Sequence, residues 1–274
     1  MNMTHIMIPV LRKAAAAIME IYGDVERFQT QYKDDNSPLT DADLRSNEII
    51  KTELNRLYPN IPIISEEMEH EGYEVRKGYE QYFLVDPLDG TKEFIKRNGE
   101  FTVNIAYLEG QICKGGFVCI PESGIIYAAE KYSGAFRIDQ QDVKTEIKSL
   151  PFYITDPHLR VVASRSHRDP ETENIISRLA SPEIIAVGSS LKMILLAEGK
   201  AHFYPRLGPT MEWDTAAAQC ILEEAGGSLL RADTLQPLTY NKESLLNPFF
   251  LAFGKLLDTE SIHDLLPKLR NADH

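Results

Sequence analysis

Apolar residues at Met7, Leu11, Ala14, Ala15, Ile18, Ile21 and Tyr22 recur every three to four positions, which predicts a first helix. Packing on a core is the simplest use of that stripe, although a helix lying on a membrane surface shows the same pattern. Thr40 opens a second helix with apolar positions Leu44, Ile50, Leu54 and Leu57, ending before Pro59. Short apolar runs at 61–64 and 82–85 predict buried strands. Three further runs, 102–108, 115–119 and 124–129, are separated by turn residues, as an antiparallel meander requires. The polar stretch 139–148 reads as a seam between two halves. Beyond it strands and helices alternate: strand 160–163, helix 172–179, strand 184–187, helix 190–198, strand 201–204, helix 215–225 and strand 228–230. The pattern predicts a two-part α/β protein built in layers.

Composition narrows the class of partner. In 274 residues, 29 Lys and Arg stand against 41 Asp and Glu, a net charge of −12, with a pI near 5.1. That balance excludes a constitutive binder of nucleic-acid polymers, which needs a basic face. Cys113, Cys119 and Cys220 are odd in number and form no CxxC, so they read as buried thiols of a reducing compartment. No charge precedes the apolar stretch of the first helix, and Arg12 and Lys13 interrupt it, so it reads neither as a signal peptide nor as a membrane span.

The strongest chemical signal is Asp86-Pro87-Leu88-Asp89-Gly90-Thr91, placed directly after the apolar run 82–85. Proline holds Asp86 extended and Gly90 permits a tight turn, so both carboxylates and the Leu88 carbonyl can face one point. Oxygen-only donors suit a hard cation such as Mg²⁺ better than zinc. Thr91 follows where its hydroxyl and neighbouring amides can meet a phosphate. Taken singly, DP and DG dipeptides mark ordinary turns. Three other acidic pieces can complete the centre. Glu66 and Glu67 follow the apolar run 61–64, but Glu69, Glu71 and Glu74 beyond them suit a solvated loop. Asp214, in Glu212-Trp213-Asp214-Thr215, is equally a helix N-cap. Asp43 completes a T-x-x-D capping box with Thr40, and capping or a role at a third metal or a water fit it equally. No P-loop, GxSxG, HExxH or GxGxxG motif is present, and the seven histidines show no zinc spacing.

Ser65-Glu66-Glu67, Asp86-Pro-Leu-Asp89-Gly-Thr91 and Trp213-Asp214-Thr-Ala-Ala217 together resemble the inositol monophosphatase-like, lithium-sensitive phosphatases. Thr91-Lys92-Glu93-Phe94, Lys33-x-Asp-x-Ser-Pro38, Ser164-Arg-Ser-His167 and Gly188-Ser-Ser-Leu-Lys192 are similar to the bacterial 3′(2′),5′-bisphosphate nucleotidase branch; inositol phosphatases typically have Thr-Asn-Phe after the aspartates. The resemblance implies a layered αβαβα sandwich of the α/β (α+β) type, one phosphatase unit over residues 1–274. Its sub-domains would span about 1–140 and 155–274, with the site between them. It also implies a cytoplasmic enzyme that removes the 3′-phosphate of adenosine 3′,5′-bisphosphate, and of its sulfated derivative in sulfur assimilation. Glu66, Asp86, the Leu88 carbonyl and Asp89 would hold a first Mg²⁺; Asp86, Asp89 and Asp214 a second. Asp43 would reach a third, weaker ion through water. Thr91 with Glu66 or Asp43 would orient the attacking water. Glu66, Leu88, Asp89, Gly90, Thr91 and Asp214 would line the reacting phosphate. Ser164, His167, Ser189 and Lys192 match the region that contacts nucleotide, with Lys192 placed for a phosphate. Glu67 matches the family's second acidic residue, which is not a usual ligand. Lys92, Lys96 and Arg97 form a basic cluster that either attracts the anion or is simply solvated. Met211-Glu212 stands where animal relatives carry lysines, so that phosphate contact does not transfer. Two alternatives remain: an inositol or sugar phosphatase of the same fold, or a non-catalytic nucleotide- or metal-sensing relative. Contact with the cytoplasmic face of the inner membrane and the oligomeric state stay open.

Overall fold

The computed structural model describes residues 3–24, 30–32, 38–163 and 170–265. The chain runs through α1 (Met3–Gly23), β1 (Thr30–Tyr32), β2 (Pro38–Thr40), α2 (Asp41–Leu57), β3 (Ile63–Ser65), α3 (Tyr73–Arg76), β4 (Gln81–Asp89) and α4 (Thr91–Lys96). A meander follows: β5 (Thr102–Glu109), β6 (Ile112–Ile120), β7 (Ile125–Glu130), β8 (Ala135–Ile138) and β9 (Lys144–Ile147). The last part holds β10 (Pro151–Phe152), β11 (Arg160–Ala163), α5 (Pro170–Ile176), β12 (Glu183–Ala186), α6 (Leu191–Ala197) and β13 (Phe203–Arg206). It ends with α7 (Glu212–Glu224), β14 (Ser228–Arg231), β15 (Phe250–Phe253), β16 (Lys255–Leu256) and α8 (Ile262–Leu265).

Strands β3 to β9 form a seven-stranded sheet in chain order, antiparallel except for the parallel β3–β4 pair. A second sheet has the order β12-β11-β13-β15-β14. Side chains along each central strand alternate between two cores, as the two-residue period demands. Tyr82 and Leu84 face one core, Phe83 and Val85 the other; Val118 faces the first, Phe117 and Cys119 the second. In the second sheet Val162, Tyr204 and Ala252 face inward while Val161, Phe203 and Leu251 face outward. Helices α1 and α2 cover the outer face of the first sheet, α6 and α7 fill the space between sheets, and α5 and α8 cover the far face of the second. The result is the αβαβα sandwich expected from the motifs.

Met7, Leu11, Ala14 and Ile18 of α1 are fully buried, so the apolar face that could have met a membrane lies against the sheet. Among the described residues no helix is long and apolar enough to cross a bilayer. Helix α2 departs from its apolar pattern. Leu44 is 43% exposed, and the buried face of the first two turns carries Ala42, Asp43, Ser46 and Asn47. Those polar residues face the site described below. The stretch expected as a seam contains β9, which pairs with β8, so the first sheet continues to residue 147. Helix α7 starts at Glu212, earlier than Thr215, and β13 lies two residues later than expected.

Helix α7 approaches β6 so closely that only glycine fits between them. A Cβ on Gly116 would lie 2.2 Å from the Ala217 carbonyl oxygen and 2.8 Å from Cys220 Cβ. Gly116 therefore serves helix–sheet packing. Overpacking of this kind costs about 2 kcal/mol, which lowers the Tm of a domain this size by about 5 °C. Gly116→Ala is expected to show that drop in thermal denaturation. Gly72→Ala, whose Cβ would meet open space, is the matched control and stays near the wild-type value.

Candidate active site

Strand β4 carries the first carboxylates to the edge of a cleft. Asp86 pairs with Asn104 and Asp89 with Thr102, so three steps along β4 oppose two along β5. This is a bulge, and Pro87, with no N–H for the ladder, sits inside it. Ser46 of α2 donates to the Pro87 carbonyl at 2.7 Å, and the Leu88 amide donates to Asp86 Oδ1 at 3.1 Å. Gly90 then turns the chain with φ +93°. A Cβ there would come 3.0 Å from the Glu100 carbonyl oxygen and 3.2 Å from Ser189 Cβ, so the turn needs glycine on two counts.

Glu66, at the end of β3, Asp86 and Asp214 bring carboxylate oxygens within 4.8 Å of one another. Asp214 is the third residue of α7, where its Oδ2 accepts from the Met211 amide at 2.9 Å; it does not occupy the N-cap position itself. Burial pushes the Asp86 carboxyl well above the usual carboxylate range, and the charges of Glu66, Asp89 and Asp214 push it further. Burial, then the charge of Asp89, does the same to Asp214. An all-oxygen donor set of buried acids suits a hard divalent cation, whose charge would remove this repulsion.

Asp89 enters the same cleft differently. Its Oδ2 accepts from the Ser189 hydroxyl and the Ser190 amide, each at 2.6 Å, and from the Ser190 hydroxyl. Asn104 Nδ2 donates to Ser190 Oγ at 2.7 Å, and Thr102 Oγ1 lies 2.8 Å from Ser189 Oγ. Asp89 is thus fixed by a buried polar net from β5 and the turn before α6, and no hydrogen bond to its Oδ1 is present among the described residues. Thr102 and Asn104 were not legible as site residues, because isolated polar residues in a strand carry no spacing signal; Ser190 stood inside the Gly188-Ser-Ser-Leu-Lys192 motif without a role of its own.

Asp43 caps α2 and meets Thr91 in one geometry. Its Oδ2 accepts from the Thr40 amide and hydroxyl, completing the capping box, while Thr91 Oγ1 lies 3.0 Å from Oδ1. Thr91 Oγ1 also lies 3.3 Å from the Leu88 carbonyl oxygen. Burial raises the Asp43 pKa against these hydrogen bonds. Asp43 stands outside the trio of converging carboxylates.

A cavity of about 500 Å³ is walled by Glu66, Asp86, Leu88, Asp89, Thr91 and Asp214, with Lys92, Met211 and Leu246 at its margin. A second recess of about 130 Å³ adjoins it and contains Ser189, Lys192, Tyr204 and Arg206. Asp89, Gly90, Glu93, Thr210 and Asp214 line both. Lys192 Nζ donates to the Ser189 carbonyl at 3.0 Å; burial lowers its pKa, which the Asp89 charge opposes and Arg206 reinforces. Arg206 Nη2 donates to the Pro209 carbonyl at 2.9 Å, whereas its buried Nε has no partner among the described residues. Arg206 had no motif to announce it. Of the basic cluster only Lys92 lines the cavity; Arg97 stacks 4.8 Å above the Tyr22 ring, and Lys96 is exposed. Glu212 is fully buried and accepts from the Asn241 and Lys242 amides and the Lys242 ammonium, anchoring the segment that carries Leu246. Glu67 holds Asn47 through its carbonyl at 3.3 Å. Ser164 and His167 lie outside the described residues, as does most of the Lys33–Pro38 motif.

The sequence model of the inositol monophosphatase family matches residues 1–264. This chain belongs to that family. A protein of Escherichia coli O6:H1 named 3′(2′),5′-bisphosphate nucleotidase CysQ is 43% identical over 240 residues, 87% of this chain and 94% of its own length. The Haemophilus influenzae protein of the same name is 36% identical over 231 residues, covering 84% and 85%. The crystal structure of CysQ from Bacteroides thetaiotaomicron matches with a TM-score of 0.79 at 40% identity, over 92% of this chain and 96% of that one. An IMPase from Thermotoga maritima shares the fold, with a TM-score of 0.77 at 22% identity and 98% coverage of both chains. The family is metal-dependent, and the acidic cleft has donors suited to that requirement.

The raised acids have a consequence for stability. Because Asp86 and Asp214 have folded pKa values above their unfolded ones, their contribution is fully present below the unfolded value near 3.8 and is lost as pH rises through the folded values. A cation that binds the ionised carboxylates reverses that loss. Millimolar Mg²⁺ added to metal-stripped protein is expected to raise Tm by about 3 °C near neutral pH, and by less near about pH 5, where protons compete for the same oxygens. Differential scanning calorimetry at the two pH values checks this; an equal rise at both would contradict it.

Proposed function

We propose that this chain is a Mg²⁺-dependent 3′(2′),5′-bisphosphate nucleotidase that converts adenosine 3′,5′-bisphosphate and water to AMP and inorganic phosphate, and acts likewise on the sulfated derivative in sulfur assimilation. One observation carries the substrate: two anion compartments of different character share a wall. The acidic cavity is suited to a phosphate only together with cations. The recess beside it adds the cations Lys192 and Arg206 to a wall that also carries Asp89, Glu93 and Asp214. A substrate with two phosphates on one ribose can fill both, whereas an inositol monophosphate leaves Lys192 and Arg206 without an anion.

In this reading Glu66, Asp86, the Leu88 carbonyl, Asp89 Oδ1 and Asp214 hold two Mg²⁺. Bound there, Mg²⁺ supplies charge neutralisation of the phosphate, a more acidic attacking water and stabilisation of the leaving 3′-oxygen. The chain's own residues supply position. Thr91, held between Asp43 Oδ1 and the Leu88 carbonyl, orients the water and passes its proton toward Asp43. With both oxygens already engaged by Thr40 and Thr91, Asp43 acts through Thr91 and needs no third ion. Ser189 and Ser190 keep Asp89 Oδ2 occupied and so aim Oδ1. Lys192 and Arg206 bind the 5′-phosphate. The two sheets with their helices act as one catalytic unit, with sub-domains meeting at the shared wall. The enzyme belongs in a reducing cytoplasm in this reading, with Cys113, Cys119 and Cys220 free and buried.

The test is phosphate release, with and without Mg²⁺, from adenosine 3′,5′-bisphosphate, its sulfated form and inositol 1-phosphate. The nucleotide should exceed inositol 1-phosphate in kcat/KM by about 100-fold, the worth of a second charge-assisted phosphate site. Faster release from inositol 1-phosphate would overturn the assignment. Asp214→Asn should lose about 1,000-fold in kcat while Tm is kept, since neutralising one of the crowded acids relieves repulsion. Arg206→Gln should raise KM for the nucleotide far more than for inositol 1-phosphate.

A further inference from the structure

Glu93 is the third residue of α4 and lines both the acidic cavity and the Lys192–Arg206 recess. The fold makes room for it. A Cβ on Gly188 would lie 2.7 Å from Glu93 Cγ and 3.2 Å from its Cδ, so the side chain rests against a glycine backbone. That backbone is held in turn by the Gly188 amide donating to Glu100 Oε2 at 2.9 Å. The other acids on the shared wall, Asp89 and Asp214, have hydrogen-bonded oxygens within the carboxylate centre. The Glu93 carboxylate accepts no hydrogen bond and forms no ion pair among the described residues, although its charge is felt by Lys192. A half-buried anion beside a site for two phosphates raises the cost of binding them unless a substrate donor meets it.

The moiety between two phosphates on one nucleotide is the ribose, and the wall common to the two compartments is where it must lie. Its one remaining hydroxyl, next to the reacting phosphate, is the only hydrogen-bond donor the sugar has left. A carboxylate is acceptor-only and suits that hydroxyl. The same charge repels a further phosphate at that ring position. Resting on the nucleotidase reading, we infer that Glu93 is a specificity residue whose carboxylate accepts a hydrogen bond from the ribose hydroxyl vicinal to the scissile phosphate, selecting ribonucleoside bisphosphates over their deoxy counterparts.

The experiment compares kcat/KM for adenosine 3′,5′-bisphosphate and 2′-deoxyadenosine 3′,5′-bisphosphate in wild type, Glu93→Ala and Glu93→Gln, with Mg²⁺ present. Wild type should favour the ribonucleotide by about tenfold, the discrimination of one hydrogen bond to a charged acceptor. Glu93→Ala should lose about tenfold more on the ribonucleotide than on the deoxynucleotide, bringing the ratio near one. Glu93→Gln, which keeps an acceptor oxygen and nearly the same shape, should give an intermediate ratio. A wild-type ratio near one, or a ratio unchanged in both variants, overturns the inference while leaving the nucleotidase reading intact. Turnover of inositol 1-phosphate in preference to both nucleotides overturns that reading, and the inference with it.

Discussion

Glu66, Asp86 and Asp214 are held with their oxygens inside 4.8 Å in a cleft whose burial already disfavours charge. Left to themselves such groups separate or stay protonated. The surrounding framework is arranged to prevent the first. Asp86 leaves a central strand through a bulge pinned from α2 by Ser46. Asp214 rides on a helix pressed against β6 at Gly116, where a methyl group would already collide. Asp89 is clamped by Ser189 and Ser190 from the second half of the chain. Three layers of the sandwich thus converge on one electrostatic conflict, which a bound divalent cation would resolve.

That conflict also explains why the basic groups stand to one side. Lysine or arginine inside the carboxylate trio would form ion pairs and remove the demand for metal. Lys192 and Arg206 instead occupy a separate recess across a shared wall, close enough for one small substrate to span both. The net charge of −12 excludes polyanions in general, and the two cations of this recess are what a compact anion would meet in the proposed function.

The layered fold and the carboxylates of the acidic motifs were legible in the chain because each rests on a local pattern. Apolar runs with turns between them marked β4 to β7, and Asp86-Pro-Leu-Asp89-Gly-Thr91 marked the bend. Leu44 misled because the inner face of α2 is polar where it meets the site, so helical periodicity favoured the wrong residue. Strand β9, with its exposed Lys144, Thr145 and Glu146, looked like a loop because edge strands carry charge. Strand β15 passed unread although Phe250–Phe253 is a continuous apolar run, since a four-residue buried strand has no alternation. Arg206 and the Thr102–Asn104–Ser190 net were invisible for a different reason. The bonds of that net join residues 86 and 88 positions apart, and Arg206 meets Asp89 and Glu93 only across the fold, which sequence spacing cannot express.

Metal binding to buried, mutually repelling carboxylates is the property on which the site depends. Isothermal calorimetry of Mg²⁺ into metal-stripped protein, run at a mildly acidic and at a neutral pH, each in two buffers of different ionisation enthalpy, measures it directly. Protons should be released on binding, fewer of them as pH rises, and Asp214→Asn should weaken affinity by about tenfold or more. Binding with no proton release at any pH, and with the same affinity in Asp214→Asn, would contradict it.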